Sequence, residues 1–207
     1  MPELIIDDST DEATLLSPIV DGQAKGRGAV ERDYDAYPAE MFEPPSQMAL
    51  IPRSEWSARV KELTELKAHT SQVQNWQSDN QGSYPTCWSA GTQAAASTAR
   101  VQQGLPFVRL SAMACAVPIS GGNRGGYEGD AVEYLTKYGG VPVDLWGYTD
   151  RSNKNNDPQV QAARLRFKAL ETYECNGFDE FATACLLRFP CTVSYNWWSH
   201  VVMLCDL

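Results

Sequence analysis

Over residues 55–68 the apolar positions Trp56, Val60, Leu63 and Leu66 recur at close to helical spacing, which predicts a helix. Residues 88–103 are rich in Ala, Ser and Thr and end at Gly104, the pattern of a helix whose small side chains let it pack tightly inside a fold. A third helix is predicted over 128–138, where Ala131, Val132, Leu135 and Tyr138 share one face and Gly139-Gly140 supplies the stop. Residues 150–158 read as a polar loop, 159–170 as a weakly amphipathic helix, and 178–188 as a helix stopped by Pro190. The period then shortens. Residues 191–195 and 199–205 are runs rich in Val, Trp, Tyr and Cys, joined by Asn196-Trp197-Trp198 as a tight hairpin with His200 near the start of its second strand. Helices followed by strands, with no internal repeat, predict an α+β architecture.

Charge changes the picture of the first quarter. Residues 1–48 hold eleven Asp and Glu against three Lys and Arg, a net of −8 in a chain whose total is −9, together with Pro38, Pro44 and Pro45. This composition predicts an extended or disordered arm over 1–48, followed by one folded domain over 49–207. The arm reads as a solvated tail, as a propeptide lying in a cleft, or as a strap across a protein partner. The acidic balance excludes a phosphate-tracking surface, so no nucleic-acid partner is expected. Ile5 and Ile6 lead directly into Asp7 and Asp8, so no signal peptide is read, and no run of about 18 apolar residues spans a membrane. A cytoplasmic or particle-associated protein is expected.

The segment Asn80-Gln81-Gly82-Ser83-Tyr84-Pro85-Thr86-Cys87-Trp88 carries the candidate chemistry, because it sets Cys87 at the start of a predicted helix with Gln81 six residues before it. A helix N-terminus stabilises a thiolate, and a side-chain amide with a backbone N–H can hold the oxyanion formed when a thiol attacks a carbonyl. In Gln81, Gly82, Ser83, Cys87 and Trp88 the segment resembles the active-site segment of papain-like cysteine peptidases, at the same spacing. Arg124-Gly125-Gly126-Tyr127 and the helix after it resemble that family's Asn-Gly-Gly segment. Tyr84 and Asn123 stand where the family has the two halves of a disulfide. The remaining cysteines, Cys115, Cys175, Cys185, Cys191 and Cys205, form no close C-x-x-C pair. They read as buried thiols of a reducing compartment, with no metal and no cofactor implied.

Two histidines are available, and His69 beside a predicted helix end reads as an exposed imidazole without a partner. In Trp198-Ser199-His200-Val201-Val202 the chain resembles the family's histidine strand. The resemblance implies a papain-like fold: a helical lobe carrying the Cys87 helix, packed against an antiparallel sheet lobe carrying the His200 strand. It further implies attack by Cys87 on a peptide or protein substrate, with His200 as acid and base, a thiolate–imidazolium resting pair, and Gln81 with the Cys87 N–H as oxyanion donors. Gly125 and Gly126 would line the nonprimed side of the cleft, and Tyr127, Trp198 and Val201 would shape the neighbouring pocket.

The family's orienting asparagine follows its histidine by a further strand, whereas seven residues follow His200 here, so the domain is expected to be incomplete at its C-terminal side. The exposed sheet edge would then be covered by a missing segment, a protein partner or the acidic arm. The interval of 113 residues from Cys87 to His200 is below the family's usual range of about 130 or more. Three functions remain open: a cysteine peptidase, an inactive papain-like domain serving as a structural or binding subunit of an assembly such as a virus particle, and an acyl transferase or amidase using the same dyad.

Overall fold

The computed structural model describes residues 19–20, 23–24, 27–37, 41–45, 48–68, 81–204 and 206–207; residues 1–18, Pro38, His69, Asn80 and Cys205 lie outside these. In chain order the described elements are β1 (Ile19–Val20), β2 (Gln23–Ala24), α1 (Arg53–Glu65), α2 (Cys87–Gln102), α3 (Met113–Ser120), α4 (Glu128–Lys137), α5 (Pro158–Arg166), α6 (Phe178–Leu186), β3 (Cys191–Tyr195) and β4 (His200–Leu204). Strands β1 and β2 form a small antiparallel pair, and β3 and β4 form another, with Val193 opposite Val202 and Tyr195 opposite His200. A 3-10 turn over Asn196–Trp198, closed by Ser199 with left-handed backbone, joins β3 to β4.

The helices expected over 55–68, 88–103, 128–138, 159–170 and 178–188 occur as α1, α2, α4, α5 and α6, each ending earlier than its pattern. Helix α5 begins where Asp157 caps it, its carboxylate accepting from Gln159 N at 2.8 Å, with Pro158 at the first helical position where a missing N–H costs nothing. Gly104 follows the α2 cap with φ +77, a conformation that a side chain would strain.

Helix α3 escaped the sequence pattern because Pro118 lies inside it. Proline removes the N–H that would bond the carbonyl four residues earlier, here that of Ala114. Arg164 of α5 supplies the lost donor, since its Nη2 reaches Ala114 O at 2.8 Å. The same guanidinium donates to Gly139 O at 2.8 Å and to Asn155 Oδ1 at 2.9 Å, and it lies 5.0 Å from the centre of the Tyr134 ring. One buried side chain thereby joins α3, the end of α4 and the loop before α5.

Two apolar clusters form the core. Leu110, Met113, Val117, Val141, Trp146, Val160 and Phe167 fill the helical side. Cys87, Trp88, Cys115, Ala116, Ala131 and Val201 fill the seam between α2, α3, α4 and β4. Helix α2 approaches the sheet closely, because Gly91 faces β4: a β-carbon there would stand 3.0 Å from Val201 Cγ1. The chain thus pairs a helical part, carrying Cys87, with an antiparallel hairpin carrying His200.

Replacing Arg164 by Met leaves the Ala114 and Gly139 carbonyls without their donor inside the core, so the variant is expected to lose about 3 kcal/mol of stability. Urea unfolding followed by tryptophan fluorescence measures this, and a midpoint equal to the wild type would refute the role given to the guanidinium.

Candidate functional site

Cys87 opens α2 and is 1 % exposed. Its carbonyl-side neighbours anchor the helix start: Ser89 N and Ala90 N both donate to Thr86 O, at 3.0 and 2.9 Å. Burial pushes the Cys87 thiol above its ordinary value, while backbone hydrogen bonding from Val201, Gly28, Trp88 and Ala29 pulls the other way without overcoming it. His200 begins β4 directly after the left-handed Ser199, and its ring lies 4.7 Å from that of Trp198. Burial, followed by the positive charge of Arg27, pushes its imidazole below the usual range. Nδ1 of His200 is buried and has no hydrogen-bond partner among the described residues.

Burial thus disfavours the charged form of each group. The expected thiolate–imidazolium pair is not what the environment favours, since the same desolvation penalises both ions. Gln81 Nε2 donates to Tyr84 O at 2.9 Å, which ties the amide to its own loop.

The arm helps bury the thiol, with Ala29 packed against the seam cluster. Ala29 N donates to Ser199 O at 3.1 Å, Gly126 N donates to Gly28 O at 2.8 Å, and Val30 N donates to Gly126 O at 3.1 Å. Residues 28–30 therefore lie as a strand between the Gly126 rim and the Ser199 rim, directly over Cys87, with Ala29 and Gly126 in parallel register. Both expected rim glycines are needed there: a β-carbon on Gly125 would meet Gly28 O at 2.6 Å, and one on Gly126 would meet the Trp88 ring at 2.6 Å.

The arm is anchored beyond the cleft. Arg32 forms an ion pair with Glu174, donates from Nε to Tyr37 O at 3.0 Å, and has its guanidinium carbon 5.1 Å and 5.9 Å from the ring centres of Tyr34 and Tyr127. Tyr127 also packs on Tyr37 at 4.8 Å, and burial pushes its phenol up to about 12. Residues 27–37 thus run along the chain's own cleft.

No protein-family model and no curated protein matches this sequence. Among solved structures, the cysteine protease xylellain from Xylella fastidiosa superimposes with a TM-score of 0.58 at 18 % identity, over 83 % of this chain and 67 % of that one. The fold is papain-like. At this identity the likeness carries the architecture alone, and the chemistry must be argued from the side chains.

Of the residues singled out in the sequence, Cys87, His200, Gly125, Gly126, Tyr127 and Trp198 gather around the arm strand, and Gln81 lies on the loop leading to Cys87. Val201 does not stand on an open pocket wall. It is 3 % exposed and packs in the seam cluster, because adjacent strand residues face opposite ways and Val201 faces α2. His69 lies outside the described residues. Missed by the sequence reading were Gly28, Arg32 and Glu174; the small-residue run Gly28-Ala29-Val30 inside an otherwise acidic arm was the one available signal.

Alkylation of Cys87 by iodoacetamide in the intact chain is therefore expected to rise only above the ordinary thiol value of 9.0, and to titrate at the same pH in His200→Ala. Intact mass against pH reads this directly, and a reactive plateau persisting into acid would instead reveal a thiolate–imidazolium pair.

Proposed function

We propose that this chain is a papain-like cysteine endopeptidase whose working set is Cys87, His200 and Gln81. The observation that carries the reading is the placement of Cys87 at the start of α2, beneath a cleft whose two rims already hold an extended main chain by backbone hydrogen bonds. A peptide lying there presents its carbonyls to the thiol. With the arm withdrawn, water and substrate dipoles replace the apolar cover, and the ion pair becomes accessible. Cys87 sulfur attacks the carbonyl carbon, His200 protonates the leaving amine, and His200 then activates the water that hydrolyses the thioester. The Cys87 N–H and the Gln81 amide, once released from Tyr84 O, hold the oxyanion.

A second reading, a papain-like domain kept as a structural or binding subunit, is favoured by two observations: Gln81 is tied to Tyr84, and the imidazole Nδ1 has no partner among the described residues. Labelling with a peptidyl epoxide separates the two. In the full chain with the arm loosened by Arg32→Ala, one adduct at Cys87 is expected, lost in the added His200→Ala, and hydrolysis of a peptide amide is expected to slow by about 10²–10³ in the added Gln81→Ala. No epoxide adduct on a Cys87 that iodoacetamide does reach would sink the peptidase reading and leave the structural one.

A further inference from the structure

We propose that the cleft between Gly126 and Ser199 is a strand-binding site whose position against Pro85 admits glycine alone, and that residues 28–30 of this same chain fill it as a built-in occupant. This deepens the peptidase reading by naming the class of peptide the site takes.

Consecutive residues of a strand direct their backbone groups to opposite edges. The arm uses both: Ala29 faces Ser199 across one edge, and Gly28 O and Val30 N face Gly126 across the other. Such main-chain pairing accepts many sequences, so selection must come from side-chain space. At Gly28 there is none. A β-carbon there would stand 2.0 Å from Pro85 O, 2.4 Å from its carbonyl carbon and 2.8 Å from its Cα. The Gly28 backbone is not left-handed, so space alone forbids a side chain.

The wall is also stiff. Proline fixes its own φ, and Thr86, the next residue, is held through its carbonyl by two amides of the first turn of α2. Pro85 therefore cannot retreat without moving the start of the Cys87 helix. Next along the strand, Ala29 packs against the seam cluster of Cys87 and Trp88, whereas Val30 is exposed. The site thus selects an extended peptide reading glycine, then a small apolar residue, then a residue of open choice.

Three hydrogen bonds hold a free peptide weakly. In the intact chain the Arg32 anchor, with Asn196 Nδ2 donating to Glu31 Oε1 at 3.4 Å, keeps the strand at its site. Tethering of this kind gives an effective concentration in the millimolar range.

The test reads the rate of iodoacetamide alkylation at Cys87 in the full chain, by intact mass at a fixed alkaline pH. Gly28→Ala is expected to raise that rate about tenfold or more, because the new methyl group cannot be accommodated. Arg32→Ala, which leaves the glycine fit untouched, is expected to raise it as well. An unchanged rate in both variants would overturn the occupancy. Millimolar acetyl-Arg-Gly-Ala-Val-Glu-amide added to the Gly28→Ala chain is then expected to slow alkylation again, and acetyl-Arg-Ala-Ala-Val-Glu-amide to leave it fast. Equal protection by the two peptides would overturn the glycine requirement, and protection by neither would overturn the strand-binding site. Alkylation needs no hydrolysis, so these outcomes stand apart from success or failure of the epoxide labelling that tests the peptidase.

Discussion

At Gly91 helix α2 comes so close to strand β4 that a methyl group would crowd Val201. That contact fixes where the N-terminus of the helix falls against the hairpin, and with it the position of Cys87 beside the backbone of Val201. Trp88, fully buried one residue later, sets the opposite spacing: its ring lies where a β-carbon of Gly126 would be. Two glycines, one on the sheet side and one on the α4 side, thus define how far apart the cleft walls stand around a single helix start.

The electrostatics of the site follow from what covers that start. A helix N-terminus stabilises a nearby anion by about 0.3–1 kcal/mol, whereas one pKa unit corresponds to about 1.4 kcal/mol. Around Cys87 the desolvation of burial outweighs the groups that favour the thiolate, and its value is raised. Burial also lowers His200, and Arg27 adds a like charge to the imidazolium. The arm thus touches both groups, through the Gly28 and Ala29 backbone at the thiol and through the charge of Arg27 at the imidazole.

Local patterns made the helices and the hairpin legible. The Ala, Ser and Thr run of α2 and the Val-, Tyr- and Cys-rich runs of β3 and β4 are properties of neighbouring residues, and their expected places agree with the structure. Helix α3 was not legible, because what rescues Pro118 is an arginine on another helix. Charge and proline set the first 48 residues apart as an expected extended or disordered arm. They could not mark residues 28–30 as the cleft occupant, since main-chain pairing leaves a trace only where space forbids a side chain, at Gly28. Val201 was placed on the pocket wall by resemblance, yet strand alternation puts it opposite His200 once His200 faces the cleft.

Ser199 brings these constraints together. It is a non-glycine residue with φ 48 in the left-handed region, a conformation costing about 1–2 kcal/mol for an L-residue. A helical turn closed by one left-handed residue is an ordinary hairpin connection, and an Asn or Gly at that position would adopt it with less strain. The strained position presents the Ser199 carbonyl to Ala29 and closes the 3-10 turn that sets Trp198 on His200. One residue thereby serves two ends, closing the turn between β3 and β4 and supplying a rim acceptor to the arm.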